Sequence, residues 1–148
     1  MKAYFLDQPE QAIGADYLAK HGIFYRQMPV DESAYAEPLQ KLRDERGYVQ
    51  MDEVRLNDQT PNLPALLTKF FGEHLHTDEE IRFVTAGAGI FDLRDAQDRW
   101  MRVHVAPGDL IIVPPNLYHR FALDDQKNIV CKRLFQNTLG WEAVPRSL

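Results

Sequence analysis

Glu73-His74-Leu75-His76-Thr77-Asp78-Glu79-Glu80-Ile81-Arg82-Phe83 is the stretch on which the reading of this chain turns. In an extended strand, residues two apart project from the same face. His74 and His76 therefore project together, as two ligands of one metal ion must. Glu80 shares their parity, and so does Arg82, provided that the alternation carries through Thr77-Asp78, a pair with turn character. Taken alone, a His-x-His on a strand is commonly incidental, and Asp78-Glu79-Glu80 reads equally well as a solvated loop.

A second stretch, Gly108-Asp109-Leu110-Ile111-Ile112-Val113-Pro114-Pro115-Asn116-Leu117-Tyr118-His119, adds a third imidazole on another expected strand. Three imidazoles and one carboxylate suit a divalent first-row ion such as Fe(II), Ni(II), Mn(II), Co(II) or Zn(II). Four protein ligands on an octahedral ion leave two positions open. Those two positions suit a substrate that binds through two oxygens.

Outward from these motifs the chain divides at Gly72. Beyond it, short β-type runs follow one another at close intervals: Ile81–Thr85, Gly89–Leu93, Trp100–Val105, Asp109–Val113, Leu117–Leu123 and Asn128–Phe135. Turn residues separate them, among them Gly87, Pro107-Gly108 and Asp124-Asp125. This pattern predicts an antiparallel sandwich or barrel. Before Gly72 the reading is mixed. Lys2–Leu6 and Ile23–Arg26 read as strands. Ala15–His21, Ala34–Arg46 and Asn62–Phe71 read as helices. Pro38 fits only a first helical turn, so the second helix is expected to begin near Glu37.

Composition narrows the function classes. The 148 residues correspond to one domain, with residues 1–72 as a helix-bearing part and 73–135 as a metal-binding barrel core. Lys and Arg number 17 against 22 Asp and Glu, a net charge of −5, which argues against a nucleic-acid partner. No window approaches 18 apolar residues, so no membrane span is expected. Asp7 interrupts any apolar leader core near Met1. Cys131 stands alone and fits a reducing compartment. These features predict a cytoplasmic protein; a monomer is expected, though no feature of the sequence reads out the oligomeric state.

His74, His76, Glu80, Gly87 and the run from Gly108 to His119 resemble the two motifs of the cupin family. Cupins are small antiparallel jelly-roll β-barrels that hold a metal inside. Asn116 stands where many cupins carry Gly, and Asn tolerates the left-handed conformation such a turn needs. The local wording is more selective. Residues 73–83, Gly87-Ala88-Gly89-Ile90-Phe91-Asp92-Leu93-Arg94-Asp95, Tyr118-His119-Arg120-Phe121 and Lys132-Arg133-Leu134-Phe135 resemble the acireductone dioxygenases. The likeness reaches upstream to residues 41–48 and Lys69-Phe70-Phe71 and covers nearly the whole chain. The tail after Trp141 is shorter than the family leads one to expect.

The resemblance implies a methionine-salvage dioxygenase acting on 1,2-dihydroxy-3-keto-5-methylthiopentene. It implies 4-methylthio-2-oxobutanoate and formate as products with Fe(II), and methylthiopropanoate, carbon monoxide and formate with Ni(II). One ion per chain would be held by His74, His76, Glu80 and His119.

The residues themselves add expectations. A chelated enediolate is anionic, and a cation beside it stabilises it. Arg82 shares the face of Glu80 and is the expected catalytic and substrate-binding cation. Arg133 shares a face with Ile129 and Cys131 and is a second candidate for the substrate. The bland alternative for both is a salt bridge to Asp92 or Glu80. Phe121, in phase with His119, and Phe70 are expected to line the cavity and meet the methylthio tail; plain core is their alternative. His104 is expected to face outward, His21 to end a helix, and Cys131 to be a small buried residue. A cupin isomerase or epimerase, needing no dioxygen, and a non-catalytic metal-binding module remain the rival functions.

Overall fold

The computed structural model describes residues 2–136 and 143–147. Along the chain run β1 (Lys2–Phe5), β2 (Gln8–Ala12), α1 (Ala15–Lys20), β3 (Phe24–Gln27), α2 (Glu32–Arg46), β4 (Gln50–Leu56) and α3 (Leu63–Phe71). Then follow β5 (His74–Leu75), β6 (Glu80–Gly87), β7 (Gly89–Arg94), β8 (Trp100–Val105), β9 (Asp109–Val113), β10 (His119–Leu123), β11 (Ile129–Phe135) and β12 (Val144–Pro145). The strands form two antiparallel sheets, ordered β12-β5-β10-β7-β8-β1-β2 and β3-β9-β6-β11-β4. The expected antiparallel β-barrel with a few short N-terminal helices is therefore what the chain forms.

Apolar side chains explain how the sheets pair. Phe91, Leu93, Met101 and Val103 of the seven-stranded sheet join Val84, Ile111, Val113 and Ile129 of the five-stranded sheet in one buried cluster. The opposite face of the smaller sheet is also covered. Ile81, Phe83, Leu110, Ile112 and Leu134 cluster with Tyr35, Leu39 and Leu42 of α2. This second layer explains why all of β9 is buried and its sequence is unbroken apolar from Leu110 to Val113. It also leaves Glu80, Arg82 and Val84, the other parity of β6, facing the interior.

The helix at 32–46 departs from expectation. It begins at Glu32, not near Glu37, and Pro38 lies well inside it. Asp31 accepts a hydrogen bond from the Ser33 N–H and caps the start, and Gly47 ends the helix in the left-handed conformation. The stripe Tyr35-Leu39-Leu42 buries across the proline. The carbonyl that Pro38 leaves without a partner belongs to exposed Ala34, where water can satisfy it. Three strands went unanticipated: β2, wholly exposed, β4, whose outward face is Met51, Glu53 and Arg55, and the short, exposed β12.

Two turns are conformationally demanding. Asn116 has φ 66°, the left-handed turn foreseen for it. Gly87 has φ 74°, and a Cβ there would lie 2.1 Å from the Asn128 carbonyl oxygen. Gly87→Ala therefore sets left-handed strain and a backbone clash together, at a cost of about 4 kcal/mol. In a chain of this size that lowers the thermal midpoint by about 10 °C, measurable by calorimetry. An unchanged midpoint would show that the β6–β7 turn is not held by Asn128.

Candidate metal centre

The sheets enclose a cavity of about 420 Å³. Its polar end is built by short pieces of backbone. His74 (β5) and His119 (β10) are direct partners across the strand pair. His76 lies just beyond β5, and its carbonyl accepts the N–H of left-handed Asn116 at 2.8 Å. The three rings converge, with centroids 4.5 to 5.3 Å apart. Their ligand atoms all lie within 4.8 Å of one another, a group able to hold a metal ion.

Two of the rings are aimed by their outer nitrogens. The Nδ1–H of His74 donates to the Gly72 carbonyl at 2.6 Å, and that of His119 to the Leu117 carbonyl at 2.8 Å. A carbonyl only accepts, so Nδ1 carries the proton and Nε2 presents its lone pair to the centre. Glu80 lies beside them. Its Oε2 lies 2.5 Å from His119 Nε2 and 3.8 Å from His76 Nε2. Both Glu80 Oε2 and His119 Nε2 are buried, yet neither has a hydrogen-bond partner of acceptable geometry. Buried polar atoms are rarely left so. Lone pairs crowded together and lacking donors are what a cation satisfies, so the donor set fits a divalent ion.

Burial and neighbouring charges set the acidity of these groups. Burial alone raises the Glu80 carboxyl, but the Arg82 charge, with His119 and His76, holds it well below the usual carboxylate range. Burial lowers His74. Burial also lowers His119, but the facing Glu80 carboxylate outweighs it and raises that imidazole. Glu80 is thus ionised, as a ligand must be.

The sequence-derived candidates fall as follows. Arg82 lines the cavity, donating to Glu80 Oε1 at 2.7 Å and to the Ile81 carbonyl at 2.9 Å. Arg133 also lines it, directly across β6 and β11 from Arg82. Its carboxylate partner is Asp52 of β4, gripped through both oxygens at 2.8 and 2.5 Å. That corrects the alternative naming Asp92 or Glu80 for Arg133. Asp92 instead holds Arg102 and Arg120. Phe70 and Phe121 face each other edge-on at 6.3 Å, and Phe121 also meets Phe91. All three line the apolar end with Val54, Leu56 and Ile129. Cys131 sits in the wall, its thiol raised by burial.

Sequence reasoning missed a carboxylate at the rim. Glu79 receives Arg46 at 2.6 Å, the Tyr48 hydroxyl at 3.2 Å and the Gln136 amide at 3.1 Å. Its partners lie far off in sequence, so no local signal announces it. The other two histidines are placed as foreseen: His21 follows α1 and bonds the Tyr17 carbonyl, and His104 points away from the core to the Tyr4 hydroxyl.

Residues 6–143 match the ARD/ARD′ family. The chain belongs to this family, the acireductone dioxygenases. The "Acireductone dioxygenase" of Dictyostelium discoideum is 49% identical, over 99% of this chain and 99% of its own. That of Heterostelium pallidum is 47% identical over 99% and 98%. A solved acireductone dioxygenase from Bacillus anthracis, with a cadmium ion in its active centre, superposes with a TM-score of 0.89. It is 28% identical over 97% of this chain and 96% of that one. The barrel is thus the cupin fold of the acireductone dioxygenases, and the chain is an enzyme, a metal-dependent dioxygenase. The D. discoideum relative is matched over nearly its whole length, so a comparably short acireductone dioxygenase exists. The expectation about the tail after Trp141 falls partly on residues 142 and 148, outside the described residues. No helix among the described residues is long and apolar enough to cross a membrane.

Proposed function

We propose that this enzyme oxidises an acireductone, 1,2-dihydroxy-3-keto-5-methylthiopentene, with dioxygen in methionine salvage in the cytoplasm. His74, His76, Glu80 and His119 are the ligands of one Fe(II) or Ni(II) per chain. Fe(II) gives 4-methylthio-2-oxobutanoate and formate; Ni(II) gives methylthiopropanoate, carbon monoxide and formate. The observation that carries the reading is the buried Glu80–His119 pair, two orphaned polar atoms inside a three-imidazole group. The names of the relatives support the substrate. A bound divalent ion supplies Lewis acidity for two adjacent substrate oxygens and redox partnership for dioxygen.

The protein's own groups do the rest. Arg82 and Arg133 stand side by side on the cavity wall, each anchored by one carboxylate. Two like charges directly opposite repel. Glu80 and Asp52 offset that repulsion, and the remaining N–H donors of both forks can hold an enediolate. Phe70 and Phe121 exclude water and pack on the methylthio tail. Glu80 stays ionised beside Arg82, so the site presents no acidic proton there to quench the anion.

A metal analysis paired with an oxygen electrode tests the proposal. One divalent ion per chain and oxygen uptake with synthetic acireductone are expected, with carbon monoxide evolved only by the Ni(II) form. A folded, metal-replete sample that consumes no oxygen sinks the proposal. Turnover of a sugar or keto acid without oxygen would establish an isomerase instead. Arg133→Met is expected to raise KM about 10–100-fold while kcat falls less, since a charge-assisted contact to a bound anion is lost. An unaltered KM would leave Arg133 as Asp52's partner alone.

A further inference from the structure

Glu73 and Tyr118 immediately precede His74 and His119, which are cross-strand partners. By alternation they point to the outer face of the sheet, behind the two imidazoles. Two arginines tie them together there. Arg94 of β7 grips both carboxylate oxygens of Glu73 at 2.8 and 3.1 Å, and its backbone N–H donates to the Tyr118 carbonyl at 3.1 Å. Arg146 donates to the same carboxylate at 2.7 Å, and its guanidinium lies 4.7 Å over the Tyr118 ring. Its backbone N–H bonds the Glu73 carbonyl at 3.0 Å, while Val144 and Pro145 pair with Leu75 and His74. Asp98 holds the same guanidinium from the other side at 2.9 and 3.1 Å.

These ties reach the imidazoles. The carbonyls that aim His74 and His119 belong to Gly72 and Leu117, each one peptide before a clamped residue. A rotation of Glu73 or Tyr118 turns that carbonyl and with it the ring. We infer that Arg94 and Arg146 form an outer clamp, joined at Glu73, that sets the spacing of His74 and His119. Residues 143–147 are thereby part of the metal site without supplying a ligand, and Arg146 is a positioning residue. This rests on the reading of His74 and His119 as ligands.

The test is the dissociation constant for Ni(II), measured by chelator competition on the whole chain. Partners that orient ligands are worth about 10–100-fold in affinity. Arg146→Gln is expected to weaken Ni(II) binding about tenfold, Glu73→Gln by a similar factor, and the two together by little more than either. Arg146→Lys should recover part of the loss. Arg99→Gln, which breaks the Arg99–Asp7 pair and touches neither Glu73 nor Arg146, should leave the constant unchanged. Parental affinity in both Arg146→Gln and Glu73→Gln overturns the clamp and leaves the ligand set standing. A parent chain that binds no Ni(II) overturns the ligand reading and the clamp with it.

Discussion

His119→Ala is expected to abolish metal-dependent oxygen uptake and to weaken divalent-ion binding by at least about 100-fold, the upper range for loss of a mere orienting partner. His119 is 1% exposed, and its Nε2 stands beside Glu80 Oε2. Removing it deletes one of the proposed ligands and a neighbour that helps hold the Glu80 carboxyl low. Thermal unfolding with and without Ni(II) reads the effect independently of catalysis. At an ion concentration of about 1,000 Kd, the parent gains about 4 kcal/mol, or more than about 10 °C. A 100-fold weaker variant at the same concentration gains only about 1.4 kcal/mol. The apoprotein of the variant should still fold, because Arg82 remains as the partner of Glu80. An undiminished Ni(II) shift would remove His119 from the ligand set.

His119 also shows why so much of this site could be read without coordinates. Alternation in β6 and β11 places Glu80, Arg82, Cys131 and Arg133 on the inner face, and the structure has them there. Asn116 takes the left-handed turn that its chemistry allows. What could not be read belongs to elements whose cause is non-local. β4 reads Gln-Met-Asp-Glu-Val-Arg-Leu, an edge strand carrying charges on both faces, so no apolar period announces it. Asp52, its contribution to the site, is defined only by Arg133, 81 residues away. β2 contains Pro9 and is exposed throughout, which is possible only because it is a sheet edge. The early start of α2 follows from the Asp31 cap and from a burial stripe that outweighs Pro38. Local pattern thus placed residues on faces, while partners and edges required the closed barrel.

The same geometry makes Arg82 answer two questions with one substitution. The Glu80 side chain is 11% exposed with its Oε2 buried, and Arg82, 2.7 Å away, is its main compensating charge. Arg82→Met leaves that carboxylate uncompensated, which costs about 3–5 kcal/mol in the apoprotein, a fall of about 10 °C or more. Bound Ni(II) places positive charge on the same carboxylate, so the metal-loaded variant should lose much less. Stability and catalysis then separate. If Arg82 also stabilises the bound anion, kcat/KM of the loaded variant drops about 100–1,000-fold even where its stability is restored. Arg82→Lys sharpens the distinction. Lysine keeps the charge beside Glu80 but loses the planar fork that serves Glu80 and the Ile81 carbonyl at once. Stability should therefore recover further than turnover. Full recovery of both would reduce Arg82 to the counter-ion of Glu80, and the cation facing the substrate would then have to be Arg133.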